Sequence, residues 1–118
     1  MKIEYDPPRI ENDYQNFKKN TKKYGKQFAE DLEDLLVALD AAMNALDIYN
    51  VPLYKMHMLH GKYDGTYSLS PDNKKSKWRV LAICVDENGK EVKPDGNEKE
   101  FLSKIKTLRL REVSKHYE

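Results

Sequence analysis

The sequence predicts an α+β fold: a small, mostly antiparallel sheet of about four strands, with an N-terminal helical hairpin packed on one of its faces. Three observations predict it. Apolar residues recur at helical spacing over residues 9–46, strand-like alternation follows after residue 66, and a short alternating run precedes the helices at residues 2–5. Because the chain has 118 residues, we expect a single domain spanning residues 1–118.

The helical hairpin is predicted from two amphipathic segments. The first runs from Arg9 to Lys23, where apolar residues stand four and three positions apart and therefore share one face. The second runs from Lys26 to Leu46 and carries leucines at steps of three and four, together with alanines that favour helix. Gly25 lies between the two segments as the expected break.

The strands are predicted from alternating segments at residues 66–70, 77–86 and 107–113, with a short helix expected at 98–106. Residues 77–86 have apolar side chains on both faces, which is typical of a central strand. In the last strand the leucines face the core, so the arginines face the other way. We therefore expect one sheet face to be partly open and to carry Arg79, Arg109 and Arg111.

Composition excludes several classes of protein. Charged residues make up 35% of the chain and apolar residues 39%, which is typical of a folded globular domain. No run approaches the roughly 18 apolar residues that a membrane span needs, and no apolar signal region opens the chain. The single cysteine, Cys84, cannot form an internal disulfide, which fits a reducing cytoplasm. We expect a cytoplasmic protein without membrane contact.

The net charge of +1 conceals an asymmetry between the two halves of the chain. Residues 1–50 hold seven Lys/Arg and ten Asp/Glu, whereas residues 51–118 hold fourteen and ten. The basic excess therefore lies in the half that contains all three histidines. Such an excess permits contact with a polyanion, although a solvated surface of mixed charge is the plainer explanation.

Several kinds of site are missing from the sequence. It has no phosphate-binding glycine loop, because Gly61 and Gly65 are one residue too close and Thr66 follows them. It has no CxxC pair and no nucleophile elbow. His57 and His60 are three residues apart, but no third ligand is evident, so we expect no metal and no cofactor.

The remaining polar residues suit metal-free cleavage of RNA. In that reaction a base takes the proton of a ribose 2′-OH, the oxygen attacks the adjacent phosphate, a cation stabilises the transition state and an acid protonates the leaving 5′-oxygen. Histidine suits the acid and base roles, and arginine holds phosphate bidentately. The acid–base candidates are His57 and His116; the candidates for holding phosphate or RNA are His60, Lys74, Lys75, Lys77, Arg79, Arg109, Arg111 and Lys115.

Each candidate also has an ordinary structural explanation. His57 stands between two methionines and is compatible with a packed or surface histidine. Tyr117 is compatible with a simple anchor for the end of the chain. Arg109 and Arg111 are compatible with surface charges on a strand, and the lysines of residues 74–77 with a solvated loop.

Three segments carry a resemblance to a known family: the stretch from Lys55 to Leu69, the run Lys77-Trp78-Arg79-Val80, and the ending His116-Tyr117-Glu118. They resemble the RelE/ParE toxin superfamily of bacterial type II toxin–antitoxin systems, with the HigB-like branch closest. Members of that branch carry a Lys-Leu-His-x-Leu-x-Gly-x-x-x-Gly-Tyr-Trp-Ser-Ile type segment, an Asn-Trp-Arg-Ile strand and a terminal Asp-Tyr-His. The order of one strand, two helices and further strands is also similar.

The resemblance implies a RelE-like fold and a ribosome-dependent mRNA endoribonuclease, with a cognate antitoxin, the ribosome and mRNA as partners and no small-molecule cofactor. It implies that His57 is the catalytic histidine, that Arg79 holds the scissile phosphate, and that Tyr117 stacks on a base or orients the 2′-OH. The tail departs from the pattern, because His116 and Glu118 stand where the family has aspartate and histidine.

A second hypothesis belongs to a different class of function. In it the chain is a non-nucleolytic protein of the same superfamily that acts by binding another protein, either as a gyrase-directed toxin or as a phage protein that contacts the host. The open sheet face would then be a protein interface and the histidines would be incidental.

Overall fold

The computed structural model describes residues 1–115 of the protein. Along these residues one strand comes first, four α-helices follow, and then come four strands, one more α-helix and a last strand. The strands are β1 (Lys2–Tyr5), β2 (His57–Met58), β3 (Thr66–Leu69), β4 (Trp78–Val85), β5 (Glu91–Val92) and β6 (Thr107–Lys115). The helices are α1 (Ile10–Gln15), α2 (Phe17–Tyr24), α3 (Lys26–Ala41), α4 (Ala45–Tyr49) and α5 (Glu98–Ser103).

The described strands form one mixed sheet in the order β1-β6-β4-β3-β2, and β5 pairs with β4 beside that path. β1 runs parallel to β6, and the other pairs are antiparallel. The α+β class is confirmed, but the expected sheet of about four, mostly antiparallel strands is too small. β2 and β5 were missed because strands of two residues are defined by their partners and leave too little alternation to recognise.

The helical hairpin differs from the prediction at two points. The helix expected from Arg9 to Lys23 is divided at Asn16, whose backbone leaves the helical conformation and whose side chain caps α2 by accepting a hydrogen bond from the Lys19 amide. The second helix ends at Ala41 rather than at Leu46. Beyond it, α4 forms a separate short helix with its own asparagine cap. Helical spacing alone therefore missed the break at Asn16 and extended the second helix past its end.

The amino terminus ties β1 to the end of α3. The Met1 ammonium donates hydrogen bonds to the carbonyl oxygens of Asp40, at 2.9 Å, and Ala42. A positive charge at the C-terminus of a helix is favourable because the last carbonyls there lack partners within the helix. This contact fixes the edge of the sheet against the longest helix.

The core lies between the helices and one face of the sheet. Burying a leucine such as Leu35 contributes about 1.5–3 kcal/mol, so this layer supplies most of the stability. Fully buried contributions come from α3, β3, β4 and β6: Leu32, Leu35, Leu39, Tyr67, Leu69, Val80, Ala82, Leu108 and Leu110. None of the helices described in residues 1–115 is long and apolar enough to cross a membrane.

A bulge in β6 changes the spacing between the core face and the other face. Val80 pairs with Val113 and Ala82 pairs with Leu110, so two steps along β4 correspond to three along β6. The extra residue leaves the Arg111–Glu112 pair opposite Leu81. The bulge therefore lies in the part of β6 that carries Arg111, opposite the middle of β4.

Candidate active site on the open sheet face

The side chains that point away from the helical layer define what we call the open face. Alternation along each strand, combined with the pairing register, assigns its members. They form rows that run across β2, β3, β4, β6 and β1: His57, Ser68, Leu81, Arg79, Ile83, Arg109 and Glu4.

His57 is held on this face in a defined tautomer. It pairs with Ser68, and its ring nitrogen Nδ1 lies 2.8 Å from the carbonyl oxygen of Lys55. A carbonyl only accepts hydrogen bonds, so Nδ1 carries the proton and donates it, and in the neutral ring Nε2 keeps its lone pair. In this tautomer Nε2 is the ring nitrogen that can accept a proton.

Arg79 is a buried cation without a described counter-charge. Only 6% of the residue is exposed, and its Nη1 donates to the carbonyl oxygens of Ser76 and Trp78 at 2.7 and 2.8 Å. Within residues 1–115 no carboxylate forms an ion pair with it, and its buried Nε has no hydrogen-bond partner. Because an unpaired buried charge is costly, this arrangement favours an incoming anion.

The register relates these two side chains. His57, Ser68 and Leu81 lie in one row across three strands, and Arg79 is two residues from Leu81 along β4. Strand spacing and rise place the Cα atoms of His57 and Arg79 about 12 Å apart. The two side chains are thus too far apart to touch each other but near enough to reach one phosphodiester from different sides.

The loop before β4 presents lysines beside Arg79. Lys74 and Lys75 are exposed, and the Lys74 amide donates to Ser70 Oγ at 2.6 Å. Asp72 is buried and accepts a hydrogen bond from the same hydroxyl group at 3.1 Å. Lys77 is also exposed, one residue before the strand. Hydrogen bonds therefore hold the backbone of this loop, and the loop contacts Arg79 through the Ser76 carbonyl.

Arg109 lies on the same face but in a different electrostatic setting. Its Nε and Nη2 donate to Glu4 Oε1 at 3.1 and 2.9 Å, and its Nη1 donates to Glu91 Oε2 at 3.0 Å. The hydrogen bond to Glu4 raises the pKa of Arg109 and, in return, lowers the pKa of the Glu4 carboxyl. Most donors of Arg109 are engaged, so we assign it to holding β1 and β5 on the sheet rather than to a phosphate.

Arg111 is intermediate between these two arginines. Its Nη2 is 3.4 Å from Asp6 Oδ2 and 3.5 Å from Glu91 Oε2, distances at the limit of a hydrogen bond. Its buried Nε has no partner in the described part of the chain. The side chain is half exposed, so it retains capacity for another acceptor.

The other predicted residues lie in different places. His60 is exposed at the start of the short turn Gly61–Tyr63. Lys115 pairs with Trp78, and both side chains lie on the face of the sheet that packs against the helices. Lys115 Nζ is 5.1 Å from the centre of the Trp78 ring, so Lys115 lies away from the open face. His116 and Tyr117 lie outside the described residues.

A groove along the open face was not predicted from the sequence. It has a volume of about 490 Å³, and its lining includes Tyr63, Thr66, Leu81, Ile83 and Arg111. The alternation of β4 already placed Leu81 and Ile83 on the same side as Arg79, which was the available signal. No local pattern could show that Tyr63 lies beside them, because that depends on the turn between β2 and β3.

Cys84 is buried, and burial raises the pKa of its thiol to about 12. Across residues 1–115, no group of three or more histidine, cysteine, aspartate or glutamate side chains is arranged to hold a metal ion.

Comparison with protein-family models finds none that matches the chain, and comparison with curated proteins finds no match.

Proposed function

We propose that the protein is the toxin of a type II toxin–antitoxin system and cleaves mRNA on the ribosome without a metal ion. The observation that carries this proposal is Arg79, a buried guanidinium without a described counter-charge that shares the open face with His57. The sequence resemblance to RelE/ParE toxins at the same two residues supports it. So does the succession of one strand, helices and further strands along the chain.

The proposed reaction uses these residues in turn. Nε2 of His57 accepts the proton of the ribose 2′-OH, and the resulting oxygen attacks the neighbouring phosphorus atom. The P–O5′ bond breaks, which leaves a 2′,3′-cyclic phosphate on one fragment and a 5′-hydroxyl on the other. The guanidinium of Arg79 stabilises the negative charge that grows on the phosphate oxygens.

The acid that protonates the leaving oxygen is proposed to be His116, and Tyr117 is proposed to position the substrate. The last described strand, β6, ends at Lys115 beside Trp78, one residue before β4 reaches Arg79. The cationic loop with Lys74 and Lys75 would add non-specific attraction for RNA. A cognate antitoxin and the ribosome are the proposed macromolecular partners.

The test is to map RNA ends on ribosome-bound mRNA incubated with the wild-type protein and with His57→Ala. Wild type should produce new 5′-hydroxyl ends, and a 2′-deoxynucleotide at the cut position should block cleavage there. His57→Ala should lower the rate by about 10²–10⁴-fold, the usual contribution of a general base. His60→Ala is the matched control, since His60 is exposed three residues away, and it should retain cleavage.

Two outcomes would contradict the proposal. One is cleavage by His57→Ala at the wild-type rate. The other is an absence of new RNA ends together with gyrase-dependent DNA breaks in cells that express the protein, which would instead favour the protein-binding hypothesis.

A further inference from the structure

The groove on the open face has no role in the reaction described above. Leu81 and Ile83 form its floor, Tyr63 lies at one side and Arg111 at the other. We propose that this groove binds the nucleobase adjacent to the scissile phosphate and that guanine is the base it fits best. The proposal rests on the proposed function, because it takes the phosphate to be at Arg79.

The size and lining of the groove suit a base rather than a phosphate. Its volume of about 490 Å³ falls within the range of small-ligand sites, about 300–1,000 Å³. The floor is apolar, and Leu81, at the middle of the open face, is 8% exposed. Tyr63 is 37% exposed beside it, and an aromatic ring at the edge of an apolar floor is a stacking surface for a base.

The groove is continuous with the phosphate site. Leu81 and Arg79 lie on the same side of β4, two residues apart, which corresponds to about 7 Å. A nucleotide whose phosphate contacts Arg79 therefore places its own base, or that of its neighbour, over Leu81. Occupying both positions with one strand of RNA requires no rearrangement of the sheet.

The polar groups at the groove match the edges of guanine. Arg111 has a buried Nε without a described partner and only long contacts to Asp6 and Glu91. Arginine pairs with the O6 and N7 acceptors of guanine. Asp6 and Glu112 also line the groove; Asp6 Oδ2 is 3.4 Å from Arg111 and Glu112 Oε1 is 3.4 Å from Arg9. The remaining lone pairs of these two carboxylates would accept hydrogen bonds from the N1 and N2 donors of guanine.

The other bases match this set less well. Adenine has an amino donor where guanine has O6, so it offers Arg111 only one acceptor. Pyrimidines are smaller and would leave part of the floor uncovered. The same carboxylates disfavour a second phosphate in the groove, because like charges repel. The combination of an arginine with carboxylates therefore favours one base over the others and does not attract RNA in general.

The test is titration of the protein with guanosine 5′-monophosphate, followed by amide chemical shifts in solution NMR. Adenosine and uridine 5′-monophosphates and ribose 5-phosphate are titrated in parallel. We expect guanosine monophosphate to bind about ten-fold more tightly than ribose 5-phosphate, a factor typical of one stacked base. Its shifts should include the amides of Thr66, Leu81 and Ile83.

Variants separate the base site from the phosphate site. Tyr63→Ala should reduce guanosine monophosphate binding to the level of ribose 5-phosphate, whereas Tyr63→Phe should preserve it, because the stacking ring remains. Arg111→Gln should remove the preference for guanine over adenine. Arg79→Gln should weaken all phosphate-bearing probes together. Amide spectra of each variant without ligand show whether the fold is intact.

The results that would overturn the inference are distinct from those that would overturn the function. Equal binding of guanosine monophosphate and ribose 5-phosphate, shifts confined to other surfaces, or no binding of either probe would each reject the base site. RNA cleavage at His57 and Arg79 could still be present in all three cases. Conversely, guanine-selective shifts in the groove without any RNA cleavage would reject the nuclease and retain the base site.

Discussion

Arg79 and Arg109 lie on the same face of the same sheet, on neighbouring strands, and yet they have opposite surroundings. Arg79 is 6% exposed, and its described hydrogen bonds go only to backbone carbonyls. Arg109 is more exposed and contacts two carboxylates, Glu4 and Glu91. Arg79, in one half of the open face, therefore has no described counter-charge, whereas Arg109, in the other half, is neutralised by carboxylates.

The difference separates a residue that favours function from one that favours folding. Burying Arg79 without a carboxylate costs free energy in the unliganded protein, and an incoming phosphate would recover it. Arg109 instead joins β1 and β5 to β6 through side-chain ion pairs, so its charge stabilises the free protein. Two arginines that look equivalent in the sequence are thus expected to respond to mutation in opposite ways.

The largest expected effect comes from giving Arg79 a carboxylate of its own. Ser114 pairs with Arg79 across β4 and β6, so Ser114→Glu would provide the counter-charge that Glu4 provides to Arg109. We expect cleavage of ribosome-bound mRNA to fall about 100-fold, because the arginine no longer stabilises the transition state. Folding stability should not fall, since the new charge is paired.

Ser114→Gln is the matched control, because it adds a side chain of nearly the same size without a charge. Rates for the two variants, measured at equal protein concentration under single-turnover conditions, isolate the contribution of charge. Similar rates for the glutamate and glutamine variants would show that cleavage does not depend on Arg79 lacking a counter-charge.

A smaller effect is expected in the other half of the face. Glu4→Gln should lower the free energy of unfolding by about 1 kcal/mol at pH 7, because Arg109 loses the charged carboxylate that accepts two of its hydrogen bonds. Arg109 lowers the pKa of the Glu4 carboxyl below its usual value of 4.5 in the folded state. The stabilisation is therefore present above pH 4.5 and is lost as the pH falls through the folded-state pKa.

Urea unfolding of wild type and Glu4→Gln across this pH range checks the prediction. The difference in unfolding free energy should shrink toward zero below the folded-state pKa of Glu4. A difference that is independent of pH would mean that shape, and not the ion pair, determines the cost of the substitution.

How far the sequence predicted this face depends on how local each signal is. The alternation of residues 77–86 placed Arg79 on the side opposite the core residue Val80, and the register confirms that placement. The neutralisation of Arg109 was not predictable, because Glu4 is 105 residues away in the chain and meets it only through the parallel pairing of β1 and β6. The prediction treated Arg109 as equal to Arg79 for that reason.

The placement of His57 shows the same limit on a shorter scale. Its strand has two residues, so the face to which the ring belongs is decided by pairing with β3 and not by any local pattern. The division of the first helix at Asn16 is different, because a single asparagine cap with an amide acceptor can interrupt an otherwise continuous amphipathic segment. Helical spacing does not register such an interruption.

The most direct measurement of the contrast between the two arginines is a crossed comparison of Arg79→Gln and Arg109→Gln. For each variant the single-turnover rate of mRNA cleavage on the ribosome and the free energy of unfolding are measured on the same preparation. We predict that Arg79→Gln loses about 100-fold or more in rate with unchanged or increased stability. Arg109→Gln should keep its rate and lose about 1–2 kcal/mol of stability. The reverse pattern, or equal effects of the two substitutions on rate, would contradict the assignment of catalysis to Arg79.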